Sequence, residues 1–137
     1  MSNICLIGCV KMKRKQRCAA QDMYISPLFK ARLKYALSLN KKCYIISAKY
    51  GLLALDDMID PYDKTLNDMG KAERKAWAVG VIRKLDAKEG LGKGASVMVL
   101  AGDNYREWLA RYYKVEYPFA NISFGMQLKK LKEMTRQ

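Results

Sequence analysis

Ile4-Cys5-Leu6-Ile7-Gly8-Cys9-Val10 is an unbroken apolar run containing β-branched residues. Its length and lack of polar alternation predict a strand buried on both faces. A basic loop, residues 11–17, follows. Ser26-Pro27 reads as the N-cap and first position of a helix. Phe29, Leu33, Ala36 and Leu37 recur at helical spacing and predict one apolar stripe, and Asn40 is suited to end the helix. Cys43 to Ala48 predicts a second buried strand, broken by Gly51, and residues 51–67 read as irregular. Asp68 is expected to cap a helix reaching about Ala87. Ala78, Val81, Ile82 and Leu85 would form its buried side, with Lys71, Arg74, Lys75 and Lys84 in water. Residues 90–94 predict a glycine-rich turn that lacks phosphate-loop spacing. Ala95 to Ala101 predicts a third buried strand, and residues 104–113 a helix. Lys114 to Tyr117 predicts a short edge strand ended by Pro118. The last helix is expected from about Gly125 to Met134, with Leu128, Leu131 and Met134 on one side.

Strands alternating with helices imply right-handed crossovers and a parallel sheet. The expectation is an α/β fold: a single three-layer domain over residues 1–137. It would have a mainly parallel central sheet of about four strands and helices on both faces. The chain's 137 residues suffice for one core without staples.

Charge adds a partner to this picture. There are 26 Lys and Arg against 13 Asp and Glu, a formal net charge of +13. Residues 1–50 hold 11 basic residues and one acidic, residues 51–68 one basic and five acidic. Such an excess points to a polyanion, nucleic acid or nucleotide, although solubility alone is the plainer reading. The absence of histidine excludes Ser-His-Asp and Cys-His nucleophile pairs and His-ligated zinc. No bound metal and no cofactor are expected. No apolar window is long enough to span a bilayer, and no basic segment precedes the first apolar run as in a secretory signal. A cytoplasmic protein without membrane contact is therefore expected. The four cysteines read as thiols, Cys5 and Cys43 as core residues, while Cys9 and Cys18 flank the basic loop, whose charge would favour a reactive thiolate.

In an open parallel sheet, ligands collect where strands end at their carboxyl edge. Three loops should meet there. The first carries Cys9, Lys11, Lys13, Arg14 and Lys15; the second Ser47, Lys49 and Tyr50; the third Gly102, Asp103, Asn104 and Tyr105. The first loop, with five cations in seven residues, would clamp phosphates, or else stay solvated. Lys49 leaves an apolar strand, which would lower its pKa and suit it to nucleophilic or anion-clamping work; an ordinary snorkelling lysine is the alternative. Asp60-Pro61-Tyr62-Asp63 supplies the dense carboxylates. Asp60 or Asp63 would serve as base or water activator, or pair with the basic loop. Tyr24, Tyr50, Tyr62 and Tyr105, interleaved with cations, suit base stacking. Lys129, Lys130, Lys132 and Arg136 make a basic helix face.

Ile46 to Leu53, followed by Asp57, Ile59, Pro61 and Tyr62, resembles the I-S-x-x-Y-G-L-L…D-x-I-x-P-Y signature of the peroxide stress protein YaaA family. The chain resembles still more closely a small related family of uncharacterised bacterial and phage proteins. Asp22 to Phe29 resembles D-x-Y-x-S-P-L-F, Ser47 to Leu52 S-A-K-Y-G-L, and Ile59 to Leu66 I-x-P-Y-D-x-T-L. Ala101 to Tyr105 resembles A-G-x-x-Y, and Gly125 to Leu128 G-x-Q-L. The resemblance implies an α/β core, DNA binding and protection against oxidative damage. It also implies similarity to enzymes of modified-nucleobase metabolism and to the uracil-DNA-glycosylase type of fold. The motif positions are Lys13, Tyr24, Ser26, Ser47, Lys49, Tyr50, Asp60, Pro61, Tyr62, Asp63, Thr65, Gly102, Tyr105 and Gln127. The chain is shorter than YaaA proper and has little room for an added DNA-binding element.

The leading expectation is a nucleic-acid- or nucleotide-directed enzyme acting on an N-glycosidic bond or modified nucleobase. A base would stack on Tyr50 or Tyr62, with phosphate held by Lys13 and its neighbours. Asp60 or Asp63 would stabilise charge on the sugar, and Lys49 would assist electrostatically or as a Schiff base. The alternative is a non-catalytic DNA-binding protein of stress or phage-related DNA transactions. A third reading is a regulatory domain for a free nucleotide or base.

Overall fold

The sheet is built around β1 (Ile4–Gly8), all five of whose residues are buried. β3 (Lys42–Ser47) and β6 (Ser96–Leu100) pair parallel to its two edges. This computed structural model describes residues 3–10, 13–119 and 122–135. β7 (Lys114–Glu116) extends the sheet in parallel beyond β6, and β4 (Gly51–Ala54) closes the other edge antiparallel to β3. The strand order is β4-β3-β1-β6-β7. A separate antiparallel pair joins β2 (Cys18–Ala19) to β5 (Met58–Ile59). The fold is thus α/β, with a mixed, mostly parallel sheet.

Four strands were expected in this sheet, and the described residues show five. β4 lay inside a segment that read as irregular, because Leu52 and Leu53 are consecutive and show no alternation. Gly51 does break β3, but at φ 71° it also returns the chain as a hairpin. Leu52 and Leu53 are then both buried.

The helices start largely where local chemistry asks. Ser26 Oγ accepts from the backbone N–H groups of Leu28 and Phe29, and Pro27 opens α2 (Pro27–Ser38), after the short α1 (Ala20–Met23). Asn40, at φ 57°, takes the left-handed conformation that ends the helix. The buried stripe of α2 is Phe29, Arg32, Tyr35 and Ala36, and Leu37 is exposed. The expected stripe was thus rotated, with a cation in an apolar position.

Asp68 does not cap the long helix. It closes a one-turn 3-10 segment, Leu66–Asp68, whose own cap is Thr65; α3 (Lys71–Glu89) begins after Gly70. The helix expected over 104–113 is only α4 (Asp103–Arg106), followed by a 3-10 turn at Leu109–Arg111. There the Tyr112 and Tyr113 hydroxyls donate to Asp86 of α3, which anchors the chain too early for a longer helix. In α5 (Phe124–Thr135), Gln127 and Leu131 are buried while Met134 is exposed.

Leu6 of β1 packs in one apolar cluster with Ala78, Val81 and Leu85 of α3. Cys5 and Ile7 pack in another with Phe29 and Ala36 of α2 and Leu131 of α5. This is the alternation of a strand buried on both faces. Cys5 and Cys43 face each other across the β1–β3 register as free buried thiols. Burial pushes the Cys43 thiol up to about 11 and Cys5 higher, so neither is reactive at neutral pH.

Candidate functional site

β1 and β6 end side by side because Gly8 lies against Ala101. A Cβ at Gly8 would stand 2.6 Å from the Ala101 Cβ. The loops leaving these strands therefore start from almost the same point. They open a cleft of about 970 Å³. Cys9, Val10 and Lys13 line it from the first loop, and Gly102, Asp103, Asn104 and Tyr105 from the other. Ser26, Leu28 and Arg32 of the α2 region add a wall, and Asp63, Lys64, Thr65, Asn67 and Asp68 another.

Lys13, Gly102, Asn104 and Tyr105 are thus brought together, as the strand-end rule expected, and Asp63 of the acidic loop joins them. Lys11 lies outside the described residues. The second expected loop, Ser47, Lys49 and Tyr50, is not among the lining residues. Lys49 Nζ stands 5.1 Å from the centre of the Tyr50 ring, which packs edge-on against Tyr62. Asp60 forms an exposed ion pair with Arg17 at 3.1 Å, an arrangement worth at most about 1 kcal/mol. Arg14 is engaged in shaping its loop, its Nε donating to the Asp22 carbonyl and its backbone N–H to that of Met23. Lys15 is exposed and is not a lining residue.

A chain of hydroxyls reaches the cleft residue Lys13 through Tyr62. Ser47, fully buried, accepts from the backbone N–H groups of Lys49 and Tyr50 and donates to the Tyr62 hydroxyl at 2.9 Å. The Tyr62 hydroxyl meets that of Tyr24 at 2.6 Å. Lys13 Nζ lies 4.6 Å above the Tyr62 ring, and the backbone of Lys13 bridges to Tyr24. A neutral phenol ring thus positions a cleft cation through its quadrupole. Tyr105 meets Cys9 Sγ at 3.1 Å and stacks edge-on against Trp77, whose Nε1 donates to the Ser47 carbonyl.

Burial, above all, raises Tyr24, Tyr62 and Tyr105 above the ordinary phenol value of 10.0. All three stay neutral hydrogen-bonding groups at neutral pH. An acid raised in the folded state contributes its full stability below its unfolded pKa and loses it as pH climbs past that value. The melting temperature should therefore hold below pH about 10 and fall above it, with phenolate absorbance from these tyrosines appearing only as the protein unfolds. Their titration near pH 10 in a still-folded protein would contradict this.

Of the cleft residues missed in the sequence, which include Asn67, the most buried is Arg32. It is 3% exposed, lines the cleft, and donates through Nη2 to Gln127 Oε1 at 3.1 Å. Gln127, itself 2% exposed, donates through Nε2 to the Tyr117 hydroxyl and the Ile122 carbonyl. Gln127 thus stands behind the arginine as a positioning residue and does not line the cleft. The available signal was an arginine at position 32 between Phe29 and Ala36, inside a helical apolar stripe. Desolvation pulls its pKa below the usual arginine value, as for a cation held where an anion would be welcome. Asn67 and Asn104 were also brought together, the Asn104 amide donating to Asn67 Oδ1 at 2.7 Å.

Among the described residues, no group of three or more Cys, Asp or Glu side chains could hold a metal ion, and no helix is long and apolar enough to cross a membrane. The chain is 28% identical over 116 residues to the uncharacterized protein YfjM of Bacillus subtilis (strain 168), covering 80% of this chain and 75% of that one. The sequence profile described as a family of unknown function (DUF6884) matches residues 4–133, and the chain belongs to that family.

Proposed function

We propose that the protein is nucleic-acid- or nucleotide-directed and acts on the N-glycosidic bond, or on the base, of a nucleotide held in the cleft. The observation that carries this reading is the cleft's division of labour. A buried arginine and Lys13 supply positive charge, Asp63 a carboxylate, and Asn67 and Asn104 paired amides, all around about 970 Å³. That volume suits a ligand of nucleotide size. Arg32 and Lys13 would take the phosphate, as charge-assisted donors. The amides would meet the base edge beside Tyr105.

Asp63 would then face the sugar. Breaking the bond between C1′ and the base nitrogen leaves positive charge on the sugar, which a nearby carboxylate stabilises. Water adds its hydroxyl to C1′, and its proton ends on the departing base. Lys49 and Asp60 have no place in this scheme, since one sits over Tyr50 and the other pairs with Arg17. The supporting scaffold is, on this reading, a three-layer domain of a cytoplasmic protein, with α3 on one sheet face and α2 with α5 on the other.

The test is release of free base from nucleosides, nucleotides, DNA and RNA. D63A should lower turnover by roughly 10²- to 10³-fold, the range for removing one group that stabilises charge in the transition state; unchanged turnover removes Asp63 from the mechanism. The +13 net charge favours a second reading, a non-catalytic DNA-binding protein of stress or phage-related transactions. Salt-dependent binding with no turnover on any of these substrates selects it.

A further inference from the structure

Outside the cleft, three cations converge on one indole. Lys71 Nζ, Lys75 Nζ and Arg111 Cζ lie 5.9, 5.6 and 4.3 Å from the centre of the Trp108 ring. Lys71 and Lys75 are an i, i+4 pair near the start of α3, with Cβ atoms roughly 5–6 Å apart. Arg111 comes from the 3-10 turn after α4. Like charges this close repel, and the ring's negative face offsets the repulsion. All three cationic side chains are exposed, while Trp108 is half-buried. The indole therefore organises the charges and is not itself presented to a partner.

The patch is continuous with the cleft rim. Lys71 comes three residues after Asp68, and Trp108 three after Tyr105, both lining residues. The two segments are tied by the Asn104–Asn67 hydrogen bond, and Trp77 of α3 stacks on Tyr105. A ligand running out of the cleft over this rim meets the three cations next. Among the described residues, Val79, one turn after Lys75 on α3, is the exposed large apolar side chain bordering the patch, and a single valine falls short of the inserting face that an anionic lipid surface needs.

We propose that Lys71, Lys75 and Arg111, gathered on Trp108, hold the phosphodiester backbone of a single nucleic-acid strand whose neighbouring nucleotide occupies the cleft. This rests on the nucleotide reading of the cleft and narrows the substrate to a polymer.

Binding of a labelled single-stranded oligonucleotide of about twelve nucleotides is measured over a salt series, beside thymidine monophosphate binding. The wild type should bind the oligonucleotide more tightly than the monophosphate. K71Q/K75Q/R111Q should flatten the log K against log salt slope by about 2, about 0.7 for each lost phosphate contact. R111Q alone should flatten it by about 0.7, which keeps the test open should the triple variant fold poorly. Monophosphate affinity should not change. K34Q/K129Q/K130Q, removing equal charge from α2 and α5, should leave the slope unchanged.

An unchanged slope in the folded patch variants overturns the inference, as does an equal loss in the α2–α5 control. Loss of binding to phosphatidylserine vesicles without loss of oligonucleotide binding also overturns it, in favour of a membrane surface. A wild type that binds the monophosphate but the oligonucleotide no better overturns this inference and leaves the cleft reading standing. A wild type that binds neither overturns both.

Discussion

Gly8→Ala should destabilise the protein by about 1–3 kcal/mol, the usual cost of overpacking a tight contact. The added Cβ would lie 2.6 Å from the Ala101 Cβ and 3.1 Å from the Ala101 Cα. Neither atom is the end of a flexible side chain, so a strand backbone must move. Alanine would otherwise gain about 0.4–1 kcal/mol through the unfolded chain at an unstrained glycine position. The clash outweighs that gain. Larger substitutions such as Gly8→Val should cost more. The contact lies where β1 and β6 deliver Cys9 and Gly102 to the cleft, so the same variant should weaken ligand binding. Urea unfolding gives the stability, and the double variant Gly8→Ala with Ala101→Gly gives the cause. The second substitution should return most of the loss, because the two positions are coupled through one contact. A Gly8→Ala protein as stable as wild type would contradict the packing argument.

Arg32→Met should separate binding from folding. A charge-assisted hydrogen bond contributes about 1.5–3 kcal/mol. Affinity for a nucleoside monophosphate should therefore fall roughly ten- to a hundredfold. Stability should fall by at most about 1–3 kcal/mol, because the buried Gln127 Oε1 loses its donor while the desolvation cost of the buried cation is removed. Isothermal titration and thermal unfolding read the two quantities. Gln127→Leu removes the carbonyl that Arg32 Nη2 donates to and should weaken binding less, without touching the ligand. If Arg32 were only a structural partner of Gln127, Arg32→Met would lower stability and leave affinity alone.

What the sequence made legible was set by how local each cause is. Unbroken apolar runs marked β1, β3 and β6, and Ser26-Pro27 marked the start of α2, because burial on both faces and capping are written into a few adjacent residues. The rule that loops at the carboxyl edge share a site brought Lys13 and Tyr105 together correctly. It did not put Lys49 on the cleft lining, because in the tight β3–β4 hairpin its Nζ lies over the neighbouring Tyr50 ring. β4 itself could not be read from Leu52-Leu53, which becomes a strand only by pairing with β3. Asp60 took the alternative that its sequence context offered, pairing with the basic loop through Arg17. Asp68 resembled a cap, but Thr65 claimed the preceding turn. Arg32 was overlooked in a different way. The apolar stripe of α2 was read as Phe29, Leu33, Ala36 and Leu37, whereas tertiary packing rotated the helix and buried the arginine.

On the proposed reading, one cleft at the carboxyl edge of β1 and β6 receives a nucleotide. A crystal structure of the protein with thymidine monophosphate tests it directly. The phosphate should lie beside Arg32 and Lys13, with the base near Asn67, Asn104 and Tyr105. A nucleotide bound elsewhere on the molecule, with the cleft empty at saturating concentration, would contradict it.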